Sequence, residues 1–329
     1  MTQSITAPSG QPFKILSLDG GGAKGFYTLG ILDELEKNMG KPLHECFDLV
    51  YGTSTGAIIA TLVARGDRVD DIIKLYKEHV PEILRPDNIG ERTAALAKLT
   101  KDVFGATQIK DFKTGIGIVA TNWKEERPFV FKIFREQAHG SQGSFVPFFG
   151  CTVAQAVQAS CSAYPYFETV TLDTSKGRLE LGDGGFCANN PTLYALADAT
   201  KPLKYAPADI RVVSLGVGAY PPPHIIKKAW RSVGGWSMFR NGVNIELIRH
   251  VFSSTFLQKI LDTNTGSMDQ LRLILFKDVP TLRINKGFPE PEMATDLLEH
   301  DVEKLERLLH KGRRSYEDNE GDLKKLLAS

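Results

Sequence analysis

The chain has 329 residues, long enough for one large domain or two smaller ones with a sizeable core. It is 42% hydrophobic and 24% charged with a formal net charge of +1, a balance that argues against a broad surface for DNA or RNA. No stretch approaches the roughly 18 uncharged apolar residues of a spanning helix, so any membrane contact is expected to be peripheral.

The opening MTQSITAPSGQPF is polar and lacks the basic start and apolar run of a secretory signal. Cys46, Cys151, Cys161 and Cys187 are scattered without a CxxC pair, which fits reduced thiols better than a disulfide framework or a zinc site. A cytoplasmic protein is expected.

Phe13 to Leu18 is a short apolar run that ends at Asp19-Gly20-Gly21-Gly22. From Phe26 to Met39 apolar residues recur at helical spacing. Cys46 to Tyr51 reads as a second strand, followed by Gly52-Thr53-Ser54-Thr55-Gly56 and the apolar stretch Ala57 to Ala64. Asp70 to His79 predicts a helix stopped near Pro81, and Ala94 to Phe104 another. Gly115 to Thr121 and Pro128 to Phe134 look like strands, and Val153 to Ala159 a helix. Val170 to Leu172 and Arg178 to Leu181 suggest a strand pair before Gly182-Asp183-Gly184-Gly185. Pro191 suits the first position of a helix reaching Asp198, and Ile210 to Leu215 is a further strand. Leu271 to Phe276 is expected to pair with Thr281 to Ile284 as late strands. Met293 to His310 reads as an amphipathic helix packed through Leu297, Val302, Leu305 and Leu309. Strands alternating with helices imply an α/β fold with a mostly parallel sheet, whose functional groups belong at the carboxyl ends of the strands.

Three glycine-framed motifs carry chemistry. Gly52-Thr53-Ser54-Thr55-Gly56 is a G-x-S-x-G between a strand and a helix. In that context the turn is sharp, Gly52 and Gly56 allow the chain to approach closely, and Ser54 is held out as a nucleophile at the positive end of a helix. The same pentapeptide also arises by chance. Asp19-Gly20-Gly21-Gly22-Ala23-Lys24-Gly25 closes the first strand and opens a helix. Its backbone N–H groups suit an oxyanion hole built around Gly20, Gly21, Gly22, Lys24 and Gly25. Lys24 is either a charge near a lipid phosphate or a solvated loop lysine. Gly20, Gly22 and Gly25 also satisfy the G-x-G-x-x-G of a dinucleotide loop, but no acidic ribose ligand ends the second strand. None of the seven histidines sits at a glycine-framed strand end, whereas Asp183 does, so Asp183 is the candidate base. An ordinary turn aspartate is the other reading of that residue.

Together, DGGGAKG at 19–25, GTSTG at 52–56 and GDGG at 182–185 resemble the patatin-like phospholipase family. VAQAVQASCSAYPYF at 153–167, NNP at 189–191 and SLGVG at 214–218 fit in order, and LRIN at 282–285 extends the likeness. The resemblance implies a patatin-like three-layer fold, a central mostly parallel sheet flanked by helices, here with a C-terminal helical extension. It implies a Ser-Asp dyad of Ser54 and Asp183, an oxyanion hole from Gly21 and Gly22, no cofactor and no metal. The substrate would be membrane phospholipid, met at the inner face of the cell membrane. Lys24 departs from the arginine common in relatives, and Cys161 from a serine. The expected organisation is a polar segment 1–13, a catalytic core 14–218 and an extension 219–329 packed on it. Whether residues 86–113 form a lid stays open, as does a homo-oligomer.

Between Pro221 and Arg240 lie Lys227, Lys228, Arg231 and Arg240 with no acidic residue, interleaved with Trp230, Trp236 and Phe239. Such a segment suits an anionic bilayer or a nucleotide ligand; a solvated loop is the plain alternative. The whole arrangement is similar to bacterial patatin-like phospholipases that serve as anti-phage effectors, switched on by cyclic di- or trinucleotides. A soluble esterase or thioesterase and a non-enzymatic dinucleotide-binding module are the competing readings.

Overall fold

The computed structural model describes residues 5, 7, 10–140, 142–221 and 245–328. One eight-stranded sheet organises them. Its strands are Phe13–Leu18 (β1), Leu49–Thr53 (β2), Gly115–Asn122 (β3), Arg127–Lys132 (β4), Val170–Thr174 (β5), Gly177–Asp183 (β6), Ile210–Leu215 (β7) and Thr281–Ile284 (β8). The order is β5-β6-β3-β2-β1-β7-β8, with β4 added on β3. The pairs joining β3, β2, β1, β7 and β8 are parallel, while β4, β5 and β6 join through antiparallel pairs.

Burial explains which runs became central strands. All residues of β2 and β3 are buried, as both faces of a parallel sheet covered by helices require. Helices Gly25–Met39 (α1), Thr55–Arg65 (α2), Val69–Leu84 (α3), Ile89–Phe104 (α4), Val153–Cys161 (α5), Gly185–Ala188 (α6) and Thr192–Thr200 (α7) follow in order. After them come Ile245–Leu275 (α8), Val302–Glu317 (α9) and Glu320–Ala328 (α10). The register sets Leu18 opposite Gly52, Thr53 opposite Val119 and Ala120 opposite Asp183. The three glycine motifs therefore meet at one end of the sheet.

Three expectations need correction. Leu271 to Leu275 is the last turn of α8 and not a strand, and Thr281–Ile284 pairs with β7 instead. Leucine and arginine are good helix formers, and Arg272 is tied to Asp269 one turn earlier at 2.9 Å. Helix α3 runs through Pro81 to Leu84, because the turn beyond the proline buries Ile83 and Leu84. The late helix starts at Val302, where Asp301 caps it by accepting from the N–H groups of Glu303 and Lys304. Val302 is exposed, while Leu305 and Leu309 pack inward. Helix α9 lies along α1 so closely that a Cβ on Gly30 would meet the Leu309 carbonyl.

Candidate active site

Ser54 sits between β2 and α2 with φ 53° and ψ −124°. For a residue with a side chain this backbone is strained, at a cost of about 1 to 3 kcal/mol, and persists only where the surroundings fix it. Gly56 shows one reason it persists: a Cβ there would run into the backbone of Leu18 and Asp19. The elbow and the glycine loop thus touch through bare backbone. The Ser54 N–H donates to Ser160 Oγ at 3.0 Å.

Asp183 ends β6 and is 3% exposed. Its carboxylate accepts from the Gly185 N–H at 2.7 Å and hydrogen-bonds to the Ser54 side chain. Burial pushes the carboxyl up to about 7, against the pull of those two hydrogen bonds. Its backbone is fixed on both sides, with its carbonyl accepting from Thr121 Oγ1 at 2.7 Å and its N–H donating to the Ser162 carbonyl at 2.9 Å. A carboxyl balanced near neutrality and bonded to a strained serine can take and return a proton at physiological pH.

The glycine loop divides its amides. The Gly20 N–H donates to the Asn189 carbonyl at 2.9 Å, Ala23 to Leu297 at 3.1 Å and Lys24 to Gly21 at 3.2 Å. The Gly25 N–H is bonded within the 3-10 turn Gly22–Lys24. Gly21 and Gly22 alone among these keep N–H groups without a hydrogen bond among the described residues. The sequence placed Gly20, Lys24 and Gly25 in the hole beside them; their amides instead hold the loop's shape. Gly22 has φ 58°, and a Cβ on it would strike the Leu297 carbonyl. Asp19, at the start of the loop, is gripped by both guanidinium nitrogens of Arg283 on β8, one of them at 2.9 Å. Lys24 is buried rather than solvated; desolvation lowers its pKa, while Asp262 and Asp296 raise it.

Two small cavities flank Ser54, of about 60 and 40 Å³. The first has an apolar wall that includes Ile58, Val80, Ile83, Leu96 and Phe167. Helix α4, inside the 86–113 segment, thus supplies a wall beside the nucleophile. The second contains Asp183 and is lined as well by Leu261 of α8, Leu297 and Leu298. Helix α8 is tied down at Asn189, whose N–H donates to Asn264 Oδ1 at 2.9 Å and whose Nδ2 donates to Thr265 Oγ1 at 2.8 Å. Among the described residues no histidine lines either cavity.

Residues 16–196 match the profile of the patatin family, described as patatin-like phospholipase. The chain belongs to the patatin-like phospholipase family. It is 51% identical over 315 residues to the cUMP-AMP-activated phospholipase of Escherichia coli, covering 95% of this chain and 93% of that one. It is 28% identical over 218 residues to the cGAMP-activated phospholipase of Pseudomonas aeruginosa, covering 62% of each. The crystal structure of VipD from Legionella pneumophila aligns over 95% of this chain and 67% of that one, with TM-score 0.46 and 15% identity. Family membership makes the chain a lipid acyl hydrolase, and the non-enzymatic dinucleotide reading falls with it.

Sequence reasoning missed Ser160, Arg283 and Asn189 as parts of the site. Lys227, Lys228, Trp230, Arg231, Trp236 and Arg240 lie outside the described residues. Among the described residues no helix is long and apolar enough to cross a membrane.

Proposed function

We propose that the chain releases fatty acids from membrane phospholipids through a Ser54–Asp183 dyad, under control of a cyclic oligonucleotide. The hydrogen bond between Ser54 and an Asp183 carboxyl held at about 7 carries this reading. Ser54 Oγ attacks the ester carbonyl as Asp183 accepts its proton. The tetrahedral oxyanion is held by the N–H groups of Gly21 and Gly22, and loss of one such donor would cost about 10²- to 10³-fold. As the intermediate collapses, Asp183 protonates the departing glycerol oxygen and the lysophospholipid leaves. Water, deprotonated by Asp183, then attacks the acyl-enzyme, and the proton returns to Ser54 Oγ as the fatty acid departs.

Control by a nucleotide draws on the names of the two activated relatives. A lipase open at all times would attack the inner leaflet of its own cell, so a closed resting site is physically sensible. The small cavities favour a second reading, an esterase for short acyl groups that ignores bilayers.

Fatty-acid release from mixed phospholipid vesicles separates the readings, with wild type, Ser54→Ala and Asp183→Ala each assayed alone and with cyclic di- and trinucleotides. Nucleotide-dependent release that falls at least about 10³-fold in both variants is expected. Release without nucleotide would remove the switch but keep the dyad. Cleavage of short esters only, with vesicles untouched, would leave the esterase reading standing.

A further inference from the structure

The last turn of α5 makes contacts that the hydrolytic mechanism does not itself require. Ser160 is fully buried there. A serine hydroxyl has one proton to give and can accept two. The Ser160 hydroxyl gives its proton to the Val119 carbonyl at 2.5 Å, so it meets the Ser54 N–H, 3.0 Å away, as an acceptor. The Ser160 carbonyl accepts the Gly184 N–H at 3.3 Å, and the Ser162 carbonyl accepts that of Asp183. Val119 precedes Ala120, the residue paired with Asp183 across β3 and β6. One short stretch therefore holds the backbone of the nucleophile, the backbone of the base and the strand between them. It also commits the nucleophile's own amide, leaving the oxyanion to the glycine loop.

We propose that Ser160 is a positioning residue for the hydrolase, its hydroxyl locking the strained Ser54 backbone in register with Asp183. The proposal rests on the dyad reading above. Removing the hydroxyl leaves the Ser54 N–H and the Val119 carbonyl buried without partners, and each will seek another arrangement. Because Ser54 has a strained backbone, that relaxation moves Oγ away from Asp183. The Ser54 hydrogen bond is one of the two contacts that hold the Asp183 carboxyl down, so its loss raises the pH at which the base is ready. The titratable group facing Asp183 from α5 is the Cys161 thiol, which burial keeps protonated and which therefore does not titrate in this range.

The test is the rate at which a fluorophosphonate probe labels Ser54 in the full chain across pH, in wild type, Ser160→Ala and Ser160→Thr, with Ser54→Ala as the blank. Ser160→Ala is expected to label about 10- to 100-fold more slowly, with the midpoint of its acid limb above the wild-type value. Ser160→Thr keeps the hydroxyl and should restore both. An unmoved acid limb in Ser160→Ala, or a defect that Ser160→Thr does not repair, would reduce Ser160 to packing and overturn the proposal. If Ser160→Ala does not fold, Ser160→Cys, with a weaker acceptor in a similar volume, is read in the same way. A wild type that never labels at Ser54 would bring down the dyad reading and this proposal together, whereas labelling indifferent to Ser160 overturns this proposal alone.

Discussion

Two buried aspartates, Asp183 and Asp198, have the same side chain in opposite surroundings. Asp198, on α7, is fully buried and surrounded by partners: Tyr51 Oη, Lys132 Nζ at 2.5 Å, Gln137 Nε2 at 3.2 Å and His139 Nε2 at 2.6 Å. Among the described residues Asp183 has one backbone N–H and the Ser54 hydroxyl, and no cation. A carboxylate supplied with a cation and several hydrogen-bonding groups holds elements together. One left short of donors in a dry site keeps its proton until near neutrality, and so can exchange it. What separates the structural aspartate from the proposed base here is the number of partners, not the depth of burial.

Asp198→Asn should have the largest effect. It leaves the largely buried Lys132 ammonium without its counter-charge, at a cost of about 3 to 5 kcal/mol in urea unfolding, while labelling of Ser54 in the folded fraction stays near wild type. Lost labelling with stability intact would erase the contrast. Asp183→Asn should do the reverse, abolishing turnover yet raising stability at pH 8 by on the order of 2 kcal/mol. The sign follows from the raised carboxyl: between about pH 4 and its folded-state value of about 7, the native protein binds more protons than the unfolded chain. Wild-type stability therefore falls as pH rises through that window, and the advantage of asparagine shrinks as pH drops back toward 4. An advantage that does not vary with pH would mean Asp183 is not the titrating group. Tyr51→Phe, which removes one donor from Asp198 and leaves the others, should cost only about 1 kcal/mol and leave the pH dependence of labelling unchanged. A larger loss would show the partners of Asp198 to be strongly cooperative.

The parts of this site that were legible in the sequence are those set by local sterics. GTSTG, DGGGAKG and GDGG each announce a tight backbone within a few residues, and strand–helix alternation brings such turns to one sheet end. Asp183 was legible through its glycines as the candidate base, although nothing in the spacing revealed how few donors it would have. Ser160 was silent because its role depends on an amide 106 residues away. The block 153–167 that contains it fitted the family, but nothing in the block marked this hydroxyl as the partner of that amide. The run Leu-Arg-Leu-Ile-Leu-Phe at 271–276 misled for a related reason: a short apolar run does not distinguish strand from helix, and here it continues the long α8. Asp301 was the missed start signal of the late helix, a cap visible only once its two N–H partners are in place.

The grip of Arg283 on Asp19 joins residues 264 positions apart. On a ribosome, the glycine loop is therefore made long before the strand that carries its anchor. The elbow, the base and the loop can all exist in a nascent chain without being assembled into a site. The loop proposed to hold the oxyanion thus reaches its braced form only after β8 has been translated.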